Sequence, residues 1–293
     1  MNRREFVGNT TLATTAALFS LKCKAEQYKS LGGFGLQLWS VRHDMDKDWI
    51  GTLKSIADIG FSDIECAGYN SGLIYGQSVK DFGDYIKSIG LTMKSCHTRT
   101  GAGDPEQVGT MTNEWERICE DIKSLGGNSL VCGYFDEFER QTIDDYKRHA
   151  ELFNKCGEKA KEYGLMFGHH NHDFEFFEID GQVPYDILLD ETDPDLVCFE
   201  LDHYWIKKGG ADPFAYFEKY PGRFPFWHVK DMDETEEQFF TEVGTGIIDW
   251  EPIFKAEAKS GMQYFYVEQD EFKKYDPLES VKMSHDYLKG FKY

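Results

Sequence analysis

Glu65, His97, His170, His172 and Glu268 each stand near the end of a short apolar stretch that follows a glycine. Carboxylates and imidazoles gathered at strand ends are the residue types that hold divalent ions and move protons. Side chains alternate faces along a strand, so His170 and His172 share a face with Met166 and Gly168. By the same count Glu200, Asp202 and Tyr204 fall in one phase, and Phe226, His228 and Lys230 in another. Tyr264, Tyr266, Glu268 and Asp270 form a third such set. If these phases face one axis, His170, Asp202, His228 and Glu268 meet around a single cation. Their mix of imidazole and carboxylate suits one Mn²⁺, Zn²⁺, Co²⁺ or Fe²⁺ ion. Taken singly, each residue has a plainer role as a hydrogen-bonded group at a strand end. Equivalent positions on four consecutive strands favour the metal.

The elements that must position these groups are written as a repeat. An amphipathic helical stretch, a glycine and a short apolar strand recur in ADIGFSDIE, KSIGLTMKSCH, KSLGGNSLVCG, KEYGLMFGHHNH and AKSGMQYFYVEQD. A glycine just past a helix takes the left-handed conformation that other residues adopt only at a steric cost. Eight strands are expected: GFGLQLWSV, FSDIECAG, LTMKSCHTR, NSLVCGY, LMFGHHNH, LVCFELDHYW, FPFWHVKD and QYFYVEQD. A helical segment follows each one, and no linker interrupts them. Strands alternating with helices along a whole chain mean a parallel sheet, and eight units predict closure into a (β/α)₈ TIM barrel. The α/β domain is expected over residues 26–293 as a single unit. An open doubly wound sheet is the other arrangement, but no GxGxxG or P-loop marks a phosphate turn.

Composition narrows the partners. The 293-residue chain carries 52 acidic against 32 basic residues, a formal charge of −20. Nucleic acid and anionic membranes both call for a positive surface, so neither is an expected partner. A neutral or metal-bridged small carbohydrate fits better, and oligomerisation is left open. Aromatic residues reach 15%, enough to offer sugar-binding faces, though most are expected to fill the barrel and its helices. At the N-terminus Arg3 and Arg4 precede Phe6 and the weakly apolar GNTTLATTAALFSL, with Cys23-Lys24-Ala25 as a small-x-small cleavage site. Residues 1–25 therefore resemble a twin-arginine signal, which implies export to a periplasm; an ordinary N-terminal tail would leave the protein cytoplasmic. Lys22 sits where a lipoprotein signal needs a small residue. No later stretch has the 18 or so uninterrupted apolar residues of a membrane span. The seven cysteines include no CxxC pair, and Cys66, Cys96, Cys132 and Cys198 lie in apolar strands, where free buried thiols are expected.

The segments GLQLWSVR, GFSDIECAGY, HHNHDFEF, ELDHYW, HVKD, GTGIIDW and YVEQD, running from Leu36 to Asp270, carry a resemblance. In this order they are similar to the xylose-isomerase-like TIM barrels, the sugar phosphate isomerase/epimerase family that includes inosose dehydratase and the apurinic endonucleases. That resemblance implies a metal held by Glu, Asp, His and Glu from strands five to eight. Carried over by position, it gives Asp202, His228 and Glu268 directly. Strand five departs from the pattern, with His170 where the family has glutamate. Epimerases of the family use two metal-bound glutamates as opposed bases, and only Glu268 is present here. The histidine-rich strand five and the VEQD ending resemble instead inosose dehydratase, which removes water from a keto-cyclitol.

The implied chemistry is common to both branches. A metal-polarised carbonyl stabilises the enediolate left when a base removes the α-proton. Reprotonation elsewhere gives isomerisation or epimerisation, whereas loss of a β-substituent gives a lyase. Glu268 or His172 is the expected base, with His170 as ligand or base, and His97 and Glu65 contact substrate hydroxyls. Lys230 and Asp231 position substrate or tie the strand-seven loop. Trp39 and Trp205 form an apolar wall or pack in the core, and Glu175 is catalytic or pairs with a neighbouring loop. The leading expectation is a metal-dependent isomerase or epimerase of a non-phosphorylated sugar or keto-sugar. A keto-sugar lyase or dehydratase is the alternative, and a non-catalytic sugar-binding barrel is the third class. The acidic chain argues against the endonuclease branch. The loop MDETEEQFFTEVGTG is either a lid or a strand-seven loop held by Gly244 and Gly246.

Overall fold

The computed structural model describes residues 29–104 and 106–293, so the expected targeting segment lies outside the described residues. Eight parallel strands close into a barrel in chain order. They are β1 (Gly35–Gln37), β2 (Asp63–Cys66), β3 (Thr92–Arg99), β4 (Ser129–Tyr134), β5 (Met166–His170), β6 (Val197–Asp202), β7 (Phe226–Val229) and β8 (Tyr264–Val267). The outer helices include α1 (Arg42–Ile59), α2 (Val79–Ser88), α3 (Trp115–Ser124), α4 (Ile143–Glu162) and α5 (Pro184–Glu191). The ring is completed by α6 (Pro213–Lys219), α7 (Trp250–Lys255) and α8 (Pro277–Gly290). Among the described residues no helix is long and apolar enough to cross a membrane.

The repeated glycines do what the repeat requires. Gly60, Gly90, Gly126, Gly164 and Gly261 all have positive φ, from 66° at Gly164 to 117° at Gly60. Each turns the chain from a helix into the next strand without a Cβ in the way. Alternation then sorts the strand residues into two layers. On β7, Trp227 faces outward and stacks on Phe217 of α6 at 5.8 Å, while Phe226 and His228 take the other phase. On β6, Phe199 meets Tyr185 of α5, which leaves Glu200 and Asp202 for the axis. Parallel pairing sets His228 beside Asp202 and His170 beside Glu200. The six described cysteines are free, and all but Cys198 are buried.

Two local expectations are corrected. Strand six was expected to run through Trp205, but it ends at Asp202, whose carboxylate accepts the Trp205 N–H at 2.8 Å. That cap starts a short helix, His203–Lys208, and takes Tyr204 out of the strand phase. Strand one stops at Gln37 and continues as a 3₁₀ turn, Leu38–Val41, because the Gln37 side chain accepts the Trp39 N–H. Between β2 and α2 lies a small antiparallel sheet of Tyr69–Asn70, Leu73–Ile74 and Gln77–Ser78. The strand-seven loop is tied down by Asp231, which accepts from the N–H groups of Gly244, Gly246 and Ile248 and from the Trp250 indole.

Two histidines of the helical layer make stability depend on pH. His149 stacks on Phe135 at 4.0 Å, and burial pushes its pKa down to about 4. His203 packs against Trp227 and is lowered by burial to about 3. Below its ordinary pKa of about 6.5, the unfolded chain binds protons that these buried rings refuse. Stability is therefore lost as pH falls from about 6.5 toward 4, by about 1.4 kcal/mol per pH unit for each ring. In urea titrations at pH 7, 6 and 5, a His149→Gln variant should lose stability less steeply than wild type. Parallel slopes would exclude His149 as a cause.

Candidate metal centre and active site

The strand ends bring two groups of ligating side chains to the barrel axis. His170, Asp202, His228 and Glu268 offer ligand atoms that all lie within 4.8 Å of one another, and all four residues are buried. They come from β5, β6, β7 and the residue after β8, as the strand phases predict. Asp202 is fixed by its helix-capping bond through Oδ1, so Oδ2 is left to face His170 at 3.3 Å. His228 sets Nδ1 at 2.9 Å from Glu268 Oε2. The second group, Glu65, His97, Glu200 and His228, lies within the same mutual limit and shares His228.

The first group fits a divalent cation on three counts. Metal bonds of about 2.0–2.2 Å put adjacent donors about 3 Å apart, and His228 Nδ1 and Glu268 Oε2 show that spacing at 2.9 Å. The His170 Nδ1 atom is buried without a partner among the described residues. The third count is charge. Lys230, fully buried, meets Glu268 at 2.6 Å, Asp202 at 3.0 Å and Asp270 at 3.1 Å. More carboxylate than ammonium is thus gathered at this point, an imbalance that a divalent ion would offset.

Above these groups opens a cavity of about 560 Å³. Its wall includes Trp39, His97, His170, His172, Glu268 and Asp270. The loops after β2 and β3 supply Tyr69 and Gln107, and the end of β4 supplies Tyr134. A second cavity of about 230 Å³ adjoins it through Arg99, Gln107, Tyr134 and Asp136. Among the described residues lining the two, Arg99 is the one lysine or arginine.

Electrostatics divide the wall into acids and bases. Burial alone would lower His97, but Glu65 and Glu200 outweigh it and hold the ring up at about 10, so it is a cation. Burial pushes His170 and His172 well below their ordinary range, so both are neutral imidazoles, the form that binds metal or accepts a proton. Lys230 and His228 overcome burial to keep Glu268 anionic. Burial, opposed by Lys230, raises Asp270 to about 7.

Several expected substrate contacts lie elsewhere. Glu65 is fully buried and off the cavity wall, because Gln37 and His228 occupy it at 2.8 and 2.7 Å. Lys230 is likewise off the wall, enclosed by its three carboxylates. Trp205 does not line the cavity; its ring backs His172 at 5.2 Å. Trp39 does line it, 41% exposed, with the Arg42 guanidinium 4.6 Å from its ring. Glu175 pairs with His169 and accepts the His172 N–H at 2.8 Å, so it shapes the end of strand five. The sequence reading left Glu200, Gln37 and Asp270 without a role. The phase of Glu200 and Asp270 was visible; the depth at which each would sit was not.

A family model described as xylose isomerase-like TIM barrel matches residues 53–290. The chain belongs to that family. It is 29% identical over 173 residues to an inosose dehydratase of Lacticaseibacillus casei, a match covering 53% of this chain and 57% of the relative. This chain thus spans little more than half the length of that dehydratase. A solved sugar phosphate isomerase/epimerase from Parabacteroides distasonis is 29% identical, with TM-score 0.75, over 88% of this chain and 98% of that one. An IOLI protein solved with a binding zinc atom, 15% identical with TM-score 0.67, covers 87% of this chain and 96% of its own and shares the fold.

Purified protein should carry about one divalent ion per chain by elemental analysis, lost in both Asp202→Asn and His228→Ala. Wild-type protein that stays metal-free after incubation with Mn²⁺ or Zn²⁺ would remove the centre.

Proposed function

We propose that this member of the xylose isomerase-like TIM barrel family catalyses metal-dependent proton transfer next to the carbonyl of an uncharged sugar or keto-sugar. The outcome is a moved carbonyl or an inverted neighbouring carbon. The observation that carries this reading is the cluster of four buried donors that meets the cavity floor, with Glu268 and His172 on the wall beside it. His170, Asp202, His228 and Glu268 would hold a divalent ion, which would supply Lewis-acid polarisation of the substrate carbonyl.

The chain's own residues supply the rest. Glu268 is a carboxylate held ionised beside Lys230, and His172 is a neutral imidazole held by aromatic neighbours Tyr134, Phe174 and Trp205. Either takes the α-proton, and Glu268 is the better placed at the donor cluster. Trp39 offers an exposed ring for the apolar face of a sugar. Arg99 is the one lysine or arginine among the described lining residues, and the His97 cation is already held by Glu65 and Glu200, which supports an uncharged substrate over a phosphorylated one. The cavity of about 560 Å³, with its neighbour of about 230 Å³, leaves room for a substituent beyond one sugar ring. Export through residues 1–25 would agree with a free, non-phosphorylated substrate.

A second reading is loss of water or an alcohol from the same carbanion. His97 favours it, because a cationic imidazole on the wall can donate a proton to a departing oxygen. The inosose dehydratase relatives agree with it. The absence of a glutamate at His170 also takes away the paired bases of a symmetric epimerisation.

Metal-loaded protein incubated in D₂O with ketose/aldose pairs and with 3-keto-glycosides separates the outcomes. Deuterium at the α-carbon with an isomeric product supports the first reading, and an unsaturated product absorbing in the ultraviolet supports the second. Glu268→Gln should slow either by about 10²–10⁴-fold, the range for loss of a positioned base. Neither exchange nor product across the panel would defeat the enzymatic reading.

A further inference from the structure

Beneath the cavity floor lies a layer the proposed reaction does not use. Glu65 and Glu200 are both fully buried, on strands four places apart around the barrel, yet their Oε2 atoms converge on one nitrogen. His228 Nε2 stands 2.7 Å from Glu65 and 3.1 Å from Glu200. An ionised carboxylate only accepts hydrogen bonds, so this nitrogen carries the proton that both carboxylates share. The opposite nitrogen, Nδ1, then points to Glu268 at 2.9 Å and Asp202 at 3.8 Å. We propose that Glu65 and Glu200 are positioning residues: they take up the Nε2–H of His228 and thereby commit Nδ1 to the metal centre.

The layer is itself held in place. Gln37 donates to Glu65 at 2.8 Å through its Nε2. The orientation of that amide is set by its Oε1, which accepts the Trp39 N–H at 3.1 Å. A continuous path thus runs from the 3₁₀ turn bearing Trp39, through Gln37 and Glu65, to His228. The same two carboxylates hold His97, with Nε2 at 2.8 Å from Glu200 and 3.3 Å from Glu65. His97 and His228 lie nearly parallel, ring centres 5.4 Å apart and planes 11° from each other. One pair of carboxylates therefore orients a ligand of the centre and an imidazole of the cavity wall together. Gly133 leaves the space His97 needs: a Cβ there would stand 2.4 Å from its Nδ1.

Carboxylate partners on metal-bound histidines fix the ring and raise its basicity, and their loss costs about 10–100-fold in metal affinity. This inference rests on the metal reading of His228, and the test separates the two. Zn²⁺ and Mn²⁺ affinities are measured by competition with a chelating dye for wild type, Glu65→Gln, Glu200→Gln, Glu200→Ala and Gln37→Ala. Thermal melting of the metal-free proteins is followed in parallel. Affinity should fall about 10–100-fold in both glutamine variants, and further in Glu200→Ala than in Glu200→Gln, because only Glu65 then remains to accept the Nε2–H. The metal-free melting points should not follow that order. Gln37→Ala keeps both carboxylates and should show a smaller loss in the same direction, a result available even if a buried glutamate variant fails to fold. Affinities in all variants within twofold of wild type overturn the positioning role while leaving the centre intact. A wild-type protein that binds neither ion overturns the metal reading and this inference with it.

Discussion

The structure depends on how one imidazole is shared among four carboxylates. His228 has Glu65 and Glu200 on one nitrogen and Glu268 and Asp202 on the other. Buried anions this close together are costly unless positive charge lies between them. His97 and Lys230 meet part of that need, His97 from the cavity wall against Glu65 and Glu200 and Lys230 beside Asp202 and Glu268. The barrel thus collects negative charge along its axis, and among the described residues two groups that share His228 are where a cation could offset it.

Much of this was legible in the sequence because two periodicities operate independently. The glycine after each helix marks where a strand must begin, and each of the five has the left-handed conformation the repeat requires. Alternation within the strands then assigns faces, so His170, Asp202, His228 and Glu268 were gathered without any short-range motif. The same reasoning failed at strand six, where Asp202 ends the strand by capping the helix that follows. A side chain that terminates an element cannot be found by extending that element's period.

Depth was the other gap. Glu65 and Lys230 have the residue types of substrate contacts and sit near strand ends, yet both are enclosed by partners from distant strands. Alternation says which residues point inward and nothing about which layer they occupy. Layer follows from the stagger of neighbouring strands, seen in the pairing of Gln37 with Glu65 and of Phe226 with Glu200. Those offsets are set by the whole closed barrel. The small sheet at Tyr69–Ser78 escaped for a related reason, since its strands of two residues are too short to show a period.

The two halves of the barrel contribute differently to the site. All four candidate ligands come from β5 to β8, while the cavity wall farther out is built by loops following β2, β3 and β4. A change in those loops alters what the cavity admits without moving a ligand. The four candidate donors and most of the outer cavity wall therefore lie on different stretches of chain. Substitutions in the loops after β2, β3 and β4 can reshape the mouth of the cavity while β5 to β8 keep the four donors together.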